Sequence, residues 1–242
     1  MEFTYSSYEN LLRLFRKNGY YFSSYHSYNA YEKPVILRHD IDFDIGKAVI
    51  LAELENSLGV CSTYFVLLTS SFYNVLASDS VRLIKRIHSL GHEIGLHFDE
   101  TQYEITNDRV RFKECVDNEI SIMQRALGIT IRCLSMHRPS CFVLENDLEF
   151  EGLVNSYSKK FFQEFKYISD SRMNWRENIV EIVPSKKYEK LHLLIHPFWY
   201  SKNPEGIRNK LLTFITSANR ERYLSLKDNF RDLQEFIGLE DI

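Results

Sequence analysis

Cysteine, proline and glycine are all sparse: the 242 residues hold only 4, 5 and 9 of them. None of the cysteines (Cys61, Cys115, Cys133, Cys141) forms a CxxC pair, which argues against a zinc ribbon, and disulfides are the less favoured reading. Cys61 and Cys133 lie in strand-like apolar runs, so buried free thiols are expected. Prolines and glycines are scattered. There is no linker, low-complexity tract or internal repeat, and a single domain over 1–242 is expected. No apolar run approaches the ~20 residues of a membrane span. Met1 to Tyr21 mixes Glu2, Glu9, Arg13, Arg16 and Lys17 among its apolar positions, so no export signal is expected. With reduced cysteines, that points to the cytoplasm. A strong excess of one charge is also missing. A formal net charge of -3 gives no electrostatic case for nucleic acid or an anionic membrane.

What the chain does have is ordinary globular composition and a regular alternation of patterns. Hydrophobic residues at 44% and charged residues at 26% argue against disorder. Leu11, Leu12, Leu14 and Phe15 fall at helical spacing within 7–18. Pro34 to Leu37 reads as a strand, 45–58 as a helix stopped by Gly59, and Cys61 to Leu68 as a strand. Ser78 or Asp79 can cap a helix running to Leu90, with Gly91 behind it. Glu93 to Leu96 reads as a strand. Thr106 to Leu127 reads as a long helix closed by Gly128, and Ile131 to Met136 as a strand. Tyr167 to Ser169 and Val180 to Val183 are weaker strand candidates, and Leu191 to Ile195 is a clear one. Residues 205–219 and 226–237 read as two helices. Strands alternating with helices through short turns predict a parallel sheet.

Reactive side chains repeatedly follow the strands: Asp40 and Asp42, His97, His137, Asp170, His196. In a β/α barrel the carboxyl ends of the strands form the catalytic face. Asp40 and Asp42 are separated by one residue and can project to the same side. One carboxylate can then ligate a metal while the other accepts a proton from water. In Gly91-His92-Glu93-Ile94-Gly95-Leu96-His97, the last histidine falls just after the strand. His92 lies before it, about 15 Å away by strand rise, and reads as structural. So do His26, His39, His88 and His192.

These motifs carry a resemblance. Asp40-Ile41-Asp42, Gly91 to His97, Arg138-Pro139, Ser169-Asp170-Ser171 with Trp175, and Leu194-Ile195-His196 are similar, in order, to the motifs of the polysaccharide deacetylase (NodB-homology) carbohydrate esterases. The resemblance spans about residues 34 to 200. It implies a distorted β/α barrel of seven parallel strands and a metal-dependent deacetylase acting on an N-acetylated sugar or glycan precursor. It further implies Asp40 as base, Asp42 and His97 as metal ligands, Arg138 as the holder of Asp40, and His196 as acid with Asp170 beside it. Trp175 would line the substrate groove, and Trp199, in the aromatic run after His196 near the same rim, could stack on a sugar ring. The family keeps a second metal histidine four residues after the first, and here that position is Thr101. Glu100 and His137 are equal candidates for the third ligand, with Asp99 behind them. Zinc is the expected metal. A carboxylate-rich shell would also admit manganese, cobalt or magnesium.

Two other functions fit the same residues. One is a deformylase or other hydrolase of non-peptide C–N bonds on the same scaffold. The other is a carbohydrate-binding homologue that lost its metal along with the second histidine. The oligomeric state cannot be read from the sequence.

Overall fold

The structure is a computed structural model that describes residues 1–105 and 107–242. It divides into two compact units, Met1–Tyr200 and Ser201–Ile242, where a single domain over 1–242 was expected. The division falls at an exposed polar stretch, 201–206, the kind of segment at which compact units separate.

In the first unit the elements run α1 (Tyr5–Lys17), β1 (Tyr21–Ser23), β2 (Pro34–Ile41), α2 (Ile45–Ser57), β3 (Thr63–Val66), α3 (Ser78–Ser89), β4 (Glu93–Phe98), α4 (Arg109–Leu127), β5 (Cys133–Met136), α5 (Cys141–Glu145), β6 (Val154–Asn155), α6 (Lys159–Gln163), β7 (Lys166–Ser169), α7 (Ile179–Ser185) and β8 (Leu191–Ile195). Gly59, Gly91 and Gly128 follow α2, α3 and α4 at φ 65°, 90° and 64°. In that left-handed conformation a side chain would be strained. Asp108 caps α4 by accepting from the backbone N–H groups of Val110 and Arg111. The helix therefore begins at Arg109, and the expected start at Thr106 lies outside the described residues.

Seven strands form one sheet in the order β6-β5-β4-β3-β2-β8-β7. All described pairings between these strands are parallel. β6 and β7 are the two ends of the path, so the sheet is a distorted, open β/α barrel. β1 adds a short parallel pairing to the start of β2, Tyr21 opposite Pro34 and Ser23 opposite Ile36.

Alternation along the strands divides them into two faces. Tyr64, Val66, Ile94, Leu96, Phe98, Leu134 and Met136 pack outward on Ala48, Ala52, Ile84, Ile87, Phe112, Val116 and Met123 of α2, α3 and α4. Ile36, Phe65 and Cys133 face the interior with Tyr25, Tyr28, Phe161 and Phe165. Gly95 lies on the inner face because nothing larger fits. A Cβ there would come within 2.5 Å of the Phe65 ring and 3.0 Å of the Cys133 carbonyl.

Four expectations need correction. Cys61 is exposed and lies before β3, which begins at Thr63. Val180 to Val183 is not a strand but part of α7. Ile179 and Val183, four apart, are both buried while Val180 is exposed, which is helical periodicity. α3 is preceded by Ala77 as its N-cap residue, without a side-chain cap. In the second unit, 205–219 and 226–237 are not two helices. One helix, α8 (Ile207–Asn229), covers most of the first range, bridges the gap and ends four residues into the second, and no proline or glycine interrupts it.

Candidate metal centre

The end of β2 sets out the site. Arg38 and Asp40 share its inner face, and His39 points the other way. There the His39 Nε2 lies 2.7 Å from Glu55 and its ring stacks on Tyr64 at 4.2 Å. Glu55 is a buried hub. It accepts from Tyr8, Ser62 and Tyr64 and lies 3.6 Å from His92. Burial alone would raise its carboxyl; the His39 and His92 charges and the hydroxyl donors outweigh that and hold it low. His92 also contacts the Ala52 carbonyl. It belongs to this network and not to the catalytic face.

On the inner side, Arg38 is fully buried and donates from Nη2 to Asp40 Oδ2 at 2.8 Å and from Nη1 to Ser156 at 2.8 Å. It thus makes the contact expected of Arg138. Arg138 is exposed, and among the described residues no bond joins it to Asp40. The other oxygen of Asp40, Oδ1, is buried with no hydrogen-bond partner among the described residues.

Three side chains from three strand ends converge beside Asp40. Asp42 Oδ1 lies 3.3 Å from His97 Nε2 and 3.5 Å from His137 Nδ1. The two ring nitrogens are 3.2 Å apart. His97 Nε2 is also 3.5 Å from Asp40 Oδ2. Burial would push the Asp42 carboxyl up, but the His137 and His97 contacts and the His196 charge hold it well below the usual range. Zinc binds nitrogen and oxygen at about 2.0–2.2 Å, so the edge of its coordination tetrahedron is about 3.3–3.5 Å. The triangle of donor atoms therefore fits one divalent ion.

The competing third ligands are otherwise engaged. Glu100 accepts from the Ser140 backbone N–H at 2.6 Å and from its hydroxyl at 2.9 Å. Asp99 accepts from the Thr101 N–H and hydroxyl. Asp99 thus caps the turn that begins at Glu100, and His137 stands next to His97.

His196 faces the cluster from the end of β8. Its Nδ1 lies 2.6 Å from Asp170 Oδ1, and its backbone N–H donates to the same carboxylate. Its Nε2 is 3.9 Å from Asp42 Oδ2. Burial opposes a charge on this ring. The hydrogen bond and charge of Asp170, with Asp42 and Asp40 adding to it, outweigh burial and raise His196 to about 9. His192, deeper in the same strand, is pushed down by burial and by Arg38, and pairs with Tyr25 at 2.7 Å.

The aromatic positions differ in exposure. Trp175 is half-buried and stacks on Phe3 at 6.5 Å. Trp199 is buried against Phe43 and Phe198, so it does not offer an open face. Phe72, which the sequence reading did not single out, is 56% exposed and packs on Phe43 beside Asp42.

The chain resembles CE4-family polysaccharide deacetylases. It is similar to the Xyl-CE4 domain of a multidomain xylanase from the hindgut metagenome of Trinervitermes trinervoides, at 12% identity and TM-score 0.44, over 78% of this chain and 84% of that one. It is similar to the Streptococcus pyogenes deacetylase PplD in complex with acetate, at 13% identity and TM-score 0.44, over 78% and 80%. It is also similar to BA3943, a CE4 family pseudoenzyme from Bacillus anthracis, at 15% identity and TM-score 0.43, over 78% and 62%. No family model matches the chain, and no curated protein matches it. The roles of individual side chains rest on their own geometry.

Proposed function

We propose that the protein is a metal-dependent hydrolase that removes an acetyl group from the nitrogen of an amino sugar or glycan precursor. The observation that carries this reading is an unpartnered Asp40 Oδ1 and the His196 ring, both beside the Asp42–His97–His137 triangle. Asp42, His97 and His137 would hold the ion. A divalent ion there supplies Lewis-acid polarisation of the acyl carbonyl and a lowered pKa for water. Zinc suits the two imidazoles and one carboxylate, and manganese or cobalt is also compatible.

The protein's own groups then divide the proton work. Asp40, fixed through Oδ2 by Arg38, uses Oδ1 to take a proton from the attacking water. The water oxygen bonds to the acyl carbon and the C–N bond breaks. His196, held by Asp170, gives its proton to the departing nitrogen. The products are acetate and a free amine. The half-exposed aromatics Phe43 and Trp175 and the exposed Phe72 can stack on a sugar ring. All four cysteines are free, which supports a cytoplasmic precursor as the proposed substrate pool.

The test joins metal content to product release. Purified protein should bind one zinc-group ion through this triangle, and His97→Ala and His137→Ala should each lose it. Asp40→Asn should keep the metal and lose acetate release from N-acetylglucosamine oligosaccharides by at least about 100-fold. Formate release from an N-formyl sugar with no acetate release would move the reading to a deformylase. A folded protein with no affinity for zinc, manganese or cobalt at these residues would overturn it in favour of a binding module.

A further inference from the structure

β4 and β5 carry a second converging cluster at their other end. Glu93 and Cys133 open these strands and share the inner face with His97 and His137, four residues further along each strand. Strand rise separates the two clusters by about 13 Å. His26 enters from the segment between β1 and β2. Its Nε2 lies 3.0 Å from Glu93 Oε1 and 3.5 Å from Cys133 Sγ, and Cys133 Sγ lies 3.2 Å from Glu93 Oε2. The Thr63 hydroxyl also donates to Glu93 Oε2 at 3.2 Å, which fixes the carboxylate.

Two chemistries use a thiol, an imidazole and a carboxylate. In a nucleophilic relay the carboxylate holds the ring nitrogen opposite the thiol. Here Glu93 and Cys133 both approach the same nitrogen, Nε2 of His26, so the relay geometry is absent. Three unlike donor atoms facing one point is instead the arrangement of a metal site. Zinc–ligand bonds of about 2.0–2.3 Å give tetrahedral edges of about 3.3–3.6 Å, close to the 3.0–3.5 Å observed.

We propose that His26, Glu93 and Cys133 bind a zinc ion, distinct from the Asp42–His97–His137 centre. The sulfur donor favours zinc over magnesium or manganese. The His26 side chain is 37% exposed and that of Glu93 17%, so the fourth position opens to water. The ion clips the His26 segment onto the starts of β4 and β5. That is the end of a barrel where residues act on stability, away from the catalytic face. Its effect is on unfolding and not on turnover.

Cobalt(II) is the probe, titrated into the wild-type chain and followed by absorbance. A thiolate-to-cobalt charge-transfer band in the near ultraviolet is expected to appear and to saturate within two equivalents, one for each centre. The Asp42 centre has no sulfur and cannot produce it, so the loss of one site leaves the readout of the other intact. Cys133→Ser should abolish the band while circular dichroism stays native. His26→Ala, at an exposed position, should weaken the band's cobalt affinity by about tenfold or more. Zinc should raise the Tm of Asp42→Asn, but not of the Asp42→Asn/His26→Ala double variant. A folded wild type with no band, a band that persists in Cys133→Ser, or unchanged affinity in His26→Ala would each overturn the proposal.

Discussion

Glu119 should make this protein less stable as pH rises, and Glu119→Gln should remove that loss. The carboxyl lies on α4, 1% exposed, and accepts a hydrogen bond from the Tyr103 hydroxyl. Its second oxygen has no partner among the described residues. Burial raises it, the Tyr103 bond pulls it down, and the Asp99 charge adds to the rise, leaving it at about 7 against an ordinary value of 4.5. At 1.36 kcal/mol per pH unit that gap corresponds to about 3 kcal/mol. The sign follows from proton counting. Below pH 4.5 the folded and unfolded chains both hold the proton, and the full stability is present. Between 4.5 and about 7 only the folded chain holds it, so stability falls with rising pH and the loss is complete above the folded value. Urea unfolding at about pH 5 and about pH 8.5 reads this out directly. The difference in ΔG between wild type and Glu119→Gln should change by about 2–3 kcal/mol between the two conditions, with the variant favoured at the higher pH. Glutamine can still accept from Tyr103, so packing is preserved. An equal difference at both pH values would refute the reasoning.

Arg38→Met leaves the Asp40 carboxylate without its buried counter-charge and should cost about 3 kcal/mol or more of unfolding free energy; Arg138→Met, at an exposed position, should change stability by less than about 0.5 kcal/mol. Equal effects of the two would show that Arg38 does not hold Asp40. Gly95→Ala drives a methyl group into the Phe65 ring and the Cys133 carbonyl, and should destabilise by about 1–3 kcal/mol; a neutral denaturation curve would mean that β4 and β5 can part. Asp170→Asn removes the carboxylate that sustains the His196 charge. The protonated acid is then lost at lower pH, so the alkaline limb of the deacetylation pH profile should move to lower pH. An unmoved limb would remove His196 from the role of acid.

The residues that were legible in the sequence are those whose environment is local. β2, β4 and β8 are short apolar runs ending in a polar side chain, and the ends of these runs place Asp40, Asp42, His97 and His196 on one face. What was not legible depends on partners distant in the chain. Arg38 inside an apolar run reads as a strand boundary, yet it is buried because Ser156, 118 residues away, takes its second donor. Glu55 falls inside the helix expected over 45–58 with no sign of its role, yet His39, Ser62, Tyr64, His92 and Tyr8 surround it. β1 and β6, three and two residues long, are too short for any periodicity to register. The third ligand stayed open between Glu100 and His137 for the same reason. The Ser140 backbone and hydroxyl, which occupy Glu100, leave His137 as the ligand of the proposed centre. The motif around β4 held more than His97, the proposed metal ligand. The two-residue period that turns His97 inward also turns Glu93 inward, four residues earlier. One strand face thereby supplies a donor to each end of the barrel, and the small Gly95 between them keeps the wall close enough for Cys133 of β5 and His137 just beyond it to meet both.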